Sequence, residues 1–254
     1  MKNKNIKSII CMIAIAFLLT SEFVTALTQE LSVDDIIENH IRACGGRERL
    51  ESLKTISRKG EIFFVDYGQP QPIGVITYRT DLAYPNQLRQ ELRSEKFLLN
   101  DGKNFDTYWE YDGANYVDIT DEDKKNHLSD TARSANRELL WVKESYTGIS
   151  QTDLKPAWAP NALCLIAKKN KEDFFHCFNK LTGILTAKGS DHEYRLTSNW
   201  REVKNMKIPF KLSHFVDGKM MYQIELEEVL IDEPIPHERF EKPALSLSND
   251  DELF

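Results

Sequence analysis

The chain has 254 residues, 33 of them basic and 40 acidic, for a formal charge of −7. A surface of that sign argues against a protein that grips nucleic acid through its phosphates. The length suits one domain of the larger all-β or α+β kind.

The first residues read as an export signal. Lys2, Lys4 and Lys7 precede an apolar run from Ile9 to Leu19, and Val24-Thr25-Ala26 offers a small-residue cleavage site. The run is shorter than the roughly 20 residues a spanning helix needs. Cys11 lies at its start and not after it, against lipid modification. Cleavage after Ala26 removes three lysines and one glutamate, taking the charge from −7 to −9. A periplasmic protein is expected, with one domain over 27–243 and an acidic tail over 244–254.

Ser32 with Asp34 and Asp35 resembles an N-cap and acidic first turn. Ile36, Ile37, His40 and Ile41 then recur at helical spacing, predicting a helix over 33–43 that stops at Gly45-Gly46. A second short helical piece is expected over 47–54. From Thr55 the period falls to two. Strands are expected at 56–66, 73–81, 87–94, 104–111 and 115–119, with 96–100 as a continuation. Thr120 to Lys143 reads as a helix with a narrow stripe of Leu128, Ala132, Ala135 and Leu139, fit to lie on a surface. After "KPAWAP" come strands at 162–168, 173–179, 184–189, 192–203, 208–215 and 220–231. The sum is about ten or eleven strands, mostly antiparallel, in a large curved sheet or half-open barrel covered by a few helices: a mainly β, α+β fold.

Cys44, Cys164 and Cys177 survive signal removal. In an exported chain two would pair, leaving one buried or reactive. With Asn170-Lys171 as a hairpin loop, "CLIAKKNKEDFFHC" sets Cys164 directly opposite Cys177, within disulfide reach. His176 alternates to the other face, so a shared metal site is disfavoured.

The stretch "HFVDGKMMY" is a hairpin. A plain two-residue Asp217-Gly218 loop would set every apolar residue against a polar one. A three-residue loop, Val216 to Gly218, instead pairs Leu212 with Tyr222, Phe210 with Ile224 and Ile208 with Leu226. Tyr194, Leu196 and Trp200 are expected on that same apolar face. Burying each large side chain is worth about 1.5–3 kcal/mol, so the face must be covered. Three thin helices are short of bulk for it, which predicts an apolar cavity. Its expected lining is Phe63, Ile76, Tyr78, Tyr194, Leu196, Trp200, Phe210, Leu212, Tyr222 and Ile224.

Four stretches carry a resemblance to a known family: "HIRACGGRERLESLKTISRKGEI", "FHCFNKLTGIL", "NWREVKNMKIPFKLSHFVDGK" and "IPHERFEKP". Together they resemble the LolA/LolB-like proteins, in the outer-membrane lipoprotein-sorting branch. Asn179 stands where that branch has Asp, and Asn205-Met206 where it has Asp-Gly. The resemblance implies a half-open antiparallel barrel with helices at its mouth, and a carrier of lipid or lipoprotein acyl chains that meets outer-membrane or envelope proteins.

The six histidines lack metal-binding spacing, and no nucleophile elbow, phosphate loop or dinucleotide fingerprint occurs. Neither an enzyme nor a cofactor or metal is expected. Trp109, Tyr111, Trp141, Trp158 and Trp200 are scattered over strand, helix and linker, which favours packing over sugar stacking. The expected function is hydrophobic-ligand carriage in the periplasm. The alternative is a cell-envelope interaction module of the same fold with a filled interior.

Overall fold

The structure is a computed structural model that describes residues 31–65, 72–95, 97–134, 137, 140, 147–169 and 172–244. The export signal, Cys11, Ala135, Leu139, Trp141 and nearly all of the acidic tail lie outside the described residues.

Helix α1 spans Val33–Ala43 and opens on a capping box. Ser32 Oγ accepts from the Asp35 amide at 3.1 Å, and Asp35 Oδ2 accepts from the Ser32 amide at 3.0 Å. Its buried stripe is Ile36, Ile37, His40 and Ile41. A five-residue helix, α2, follows at Arg47–Glu51. The first run of strands is β1 Thr55–Val65, β2 Pro72–Ala83, β3 Gln87–Ser94, β4 Phe97–Asn104, β5 Thr107–Tyr111 and β6 Tyr116–Asp118. Helix α3, Glu122–Ser134, comes next. The second run is β7 Thr147–Thr152, β8 Leu163–Lys169, β9 Glu172–Phe178, β10 Leu185–Gly189, β11 Glu193–Val203, β12 Met206–Val216 and β13 Lys219–Ile231. A 3-10 turn at His237–Phe240 ends the described chain.

All thirteen strands form one antiparallel sheet in the order β6-β5-β4-β3-β2-β1-β13-β12-β11-β10-β9-β8-β7. Two meandering arms thus meet at a central seam where the first strand pairs with the last. The sheet is not closed. Its edges, β6 and β7, are neighbours in the chain, and the connection between them carries α3. Strand β7 was not expected, because "TGISQT" has no apolar alternation, and β4 is a full strand where a continuation was expected.

The seam bends at Gly60. The β1–β13 register shifts between Lys59 and Gly60, a β-bulge. A Cβ at Gly60 would stand 2.1 Å from the Glu225 carbonyl oxygen, so no larger residue lets the two backbones approach.

The hairpin at 214–222 corrects the expected three-residue loop and its register. Asp217 and Gly218 alone make the turn, with φ of 48° and 74°, and Val216 pairs with Lys219. A bulge then shifts the register, so that Phe215 faces Met220 but His214 faces Tyr222, with Met221 the extra residue. Leu212 therefore meets Ile224 and not Tyr222. The parity of the expected face survives, because the true register differs from the predicted one by two residues.

Directly opposed residues share a face of the sheet. The face bearing the helices, here the inner face, holds the main core: Ile56 opposite Leu82 and Ile231, and Leu82 opposite Leu88, packed with Ile36, Ile37 and Ile41 of α1 and Leu128 and Ala132 of α3. The α1 helix is pinned by His40, whose Nδ1 accepts from the Leu185 amide at 3.0 Å. Nδ1 is thereby the unprotonated nitrogen, and Nε2 lies 3.4 Å from the buried Cys44 sulfur.

The outer face has two covers. Over the second arm, Trp158 stacks on Tyr194 at 4.9 Å, and Tyr194 stacks on Phe215 at 4.9 Å. Beneath them Cys164 and Cys177, directly opposed, form a disulfide within a cluster that includes Phe175 and Ala187. Over the first arm sits the 3-10 turn. Trp109, fully buried, donates from Nε1 to the Phe240 carbonyl at 3.1 Å. Arg239 pairs with Asp81 at 2.6 Å and grips Glu91 with both terminal nitrogens, while Arg89 pairs with Glu91 at 2.6 Å. Burial pushes both carboxyls up, but the Ser57 bond and Arg239 outweigh it at Asp81, as Arg239 and Arg89 do at Glu91. Both therefore end below their ordinary values.

Candidate functional site

Ile62 stands at the middle of the inner face, opposite Ile76 on β2 and Ile224 on β13, and Leu212 continues the row opposite Ile224. One pleat further out, Phe64 faces Tyr222, which faces His214. One pleat inward, Gly60 faces Tyr78, which faces Leu92. Of the predicted lining, Ile76, Tyr78, Leu212, Tyr222 and Ile224 are thus brought together, and all five are only half-buried. Phe210 shares the face but lies under the helices, part of the main core. Trp200 reaches that same core beside His40, although it opposes Pro209, one position out of step with Phe210.

Three predicted residues fall on the outer face. Phe63 opposes Val75 and Gln223, one position out of step with Ile62 and Phe64. Leu196 opposes Ser213 and packs on the disulfide cluster, and Tyr194 belongs to the Trp158 stack. The cause is the turn at Lys204 and Asn205, with φ of 45° and 62°, which pairs Val203 with Met206. That register puts Thr197, not Leu196, opposite Leu212.

The inner face also carries polar groups not expected there. Arg58 of β1 opposes Thr80 of β2, between the packed core and the Ile62 row. Nearby, the Arg137 guanidinium lies 4.0 Å from the centre of the Tyr84 ring. Burial pushes the Tyr84 phenol up to about 12. At the far end His214 stacks on Tyr222 at 4.7 Å, with Nε2 3.7 Å from Glu193. Burial and then Arg195 lower its pKa, so it is neutral at pH 7. One sequence signal pointed to Arg58: it occupies an apolar slot in the alternation Ile56, Arg58, Gly60, Ile62.

A hollow of about 580 Å³ opens elsewhere, at the ends of β3, β4 and β5. Its wall includes Arg93, Glu95, Asp101, Glu110, Asp112 and Lys124, too charged for an alkyl chain. Lys124 bridges Glu110 and Asp101, and burial raises the Asp101 pKa. Among the described residues no group of three or more His, Cys, Asp or Glu is placed to hold a metal ion. None of the described helices is long and apolar enough to cross a membrane, which says nothing of strands.

No protein-family model matches the chain, and no curated protein matches its sequence. Solved structures do match its shape. It is similar to a DUF1329 family protein from Desulfovibrio piger, with a TM-score of 0.57 at 9% identity, over 84% of this chain and 99% of that one. It is also similar to a LolA superfamily protein from Nitrosomonas europaea, with a TM-score of 0.54 at 7% identity, over 83% of this chain and 98% of that one. An open antiparallel sheet with its helices gathered on one face, superposable on these two proteins over most of its length, has the LolA/LolB-like fold.

Proposed function

We propose that the protein is an exported carrier that sequesters a hydrophobic ligand, a lipid or lipoprotein acyl chain, on the open half of its inner face. One observation carries this reading: Ile76, Tyr78, Leu212, Tyr222 and Ile224 share a single apolar surface that is half-buried, while the same strands are sealed a few residues away. Covering such a surface with a ligand is worth about 0.8 kcal/mol per methylene, so a fourteen-carbon chain gains roughly 10 kcal/mol before ordering costs. The role is binding and not catalysis, with the periplasm as its compartment and envelope proteins as its partners in loading and delivery.

The second reading is a cell-envelope interaction module with a filled interior, favoured by the completeness of the core beneath α1 and α3. Native mass spectrometry of the purified protein, prepared without detergent, separates the two. Co-purifying lipid supports the carrier. A clean apo mass, together with no uptake of a fluorescent fatty acid, sinks it in favour of the module.

A further inference from the structure

Along β1 the inner face changes character at one residue. Ile56 is sealed under the helices, Ile62 and Phe64 belong to the apolar row beyond, and Arg58 stands between. A guanidinium taken out of water needs a partner. Arg58 Nε and Nη2 are both enclosed, and neither has a hydrogen-bond partner among the described residues. Directly across the strand pair, Thr80 is 2% exposed, and its Oγ1 is also buried without a partner. A threonine hydroxyl can donate as well as accept, so three polar atoms on directly opposed residues stand without a partner among the described residues.

A second cation lies close by. Arg137 is 7% exposed, and among the described residues its Nε and Nη2 donate to the Arg133 carbonyl, at 3.3 and 3.1 Å. Among the described residues neither Arg58 nor Arg137 makes an ion pair, and Glu51 pulls on Arg137 only from a distance. Tyr84 feels the charge of both arginines, yet burial keeps it a neutral phenol, so it supplies no counter-charge. Among the described residues the inner end of the apolar row therefore gathers two arginines with no ion-pair partner.

We propose that the cargo is an anionic amphiphile. Its oxyanion head, a carboxylate or a phosphate ester, accepts from Arg58 and Thr80, and its alkyl tail runs outward over the Ile62 row toward Phe64 and Tyr222. The idea rests on the carrier reading above and narrows it to a head-inward ligand with a charged end. From Arg58 to Phe64 the strand covers roughly 20 Å at about 3.3 Å per residue, room for a long tail.

The test uses the purified full chain stripped of lipid. Dodecanoate, lauroyl lysophosphatidate and neutral methyl dodecanoate are compared by displacement of Nile red, and inorganic phosphate alone by calorimetry. At least one acid should bind roughly tenfold or more tighter than the ester, the size of one charge-assisted hydrogen bond. Which acid leads identifies the head. Arg58→Met should erase that preference, and Thr80→Val should reduce it. If Arg58→Met does not fold, Thr80→Val and the wild-type ratio still decide. Equal binding of acids and ester by the wild type overturns the head site but leaves the carrier standing. Binding of neither acid nor ester removes the carrier reading, and this proposal with it. Phosphate alone binding as tightly as the acids would make this a free-anion site and overturn the amphiphile.

Discussion

Two ends of the inner face share the same strands and the same alternation, yet differ in fate. Ile56, Leu82 and Ile231 lie within the core under α1 and α3, each essentially without exposure. Further along, Ile76 of β2 and Ile224 of β13 are only half-buried, while Ile62 between them on β1 is 4% exposed. Nothing in the residues themselves distinguishes the two sets. What differs is the element laid over them, and so a core residue and a lining residue look alike until the helices are placed.

The largest expected effect tests whether the outer cover, rather than the inner core, holds the first arm. Arg239→Met takes one arginine from each of two buried carboxylates, leaving Asp81 with Arg79 and Glu91 with Arg89, and should cost about 3–5 kcal/mol in urea unfolding. The acid response gives a second readout. Asp81 and Glu91 sit below their ordinary pKa values, so their stabilisation is complete above those values and is lost as pH falls through the depressed ones. The wild type should weaken below about pH 4, and the variant, already deprived of that stabilisation, should weaken less.

Next in size, Leu82→Ala at the sealed end should cost about 2–5 kcal/mol, the range for a large-to-small change in a packed core. Reduction of the Cys164–Cys177 bond should cost about 3 kcal/mol through loop entropy, and alkylation of the denatured, unreduced chain without its signal should label Cys44 alone. The smallest effect is the most telling. Leu212→Ala, at the half-buried end, should cost below about 1.5 kcal/mol, since its surface is incompletely enclosed, yet it should weaken Nile red binding. A Leu212→Ala penalty equal to that of Leu82→Ala would erase the distinction between the two ends.

The fold was largely readable. The α1 cap, most strands and the Cys164–Cys177 alignment follow from local chemistry and period, and four stretches of sequence carry the LolA/LolB-like resemblance. The face on which a residue lies was readable only where a strand's parity was fixed by its own apolar residues, as for Ile76, Ile224 and Leu212. That reading failed where a turn decides parity. Lys204 and Asn205 both adopt positive φ without a glycine to advertise it, so Tyr194 and Leu196 were assigned to the wrong face. The bulge expected within a three-residue Val216–Gly218 loop instead follows a two-residue Asp217-Gly218 turn, at Met221, which looks like any other apolar strand residue. Arg58 carries little signal of its own, because apolar periodicity discounts the charged residue that interrupts it.

The central seam has a kinetic consequence. Because β1 bonds to β13, the residues that must find each other lie far apart in the chain, as in Ile56 with Ile231 and Phe64 with Tyr222. Loop-closure entropy is paid before those contacts return anything, which makes such topologies slow to fold. Each meander can assemble on its own from neighbouring hairpins, but the two halves stay unjoined until the closing strand has left the ribosome. A late-zipping sheet of this kind exposes two sticky borders meanwhile, and a chaperone that shields them should raise the yield of native protein.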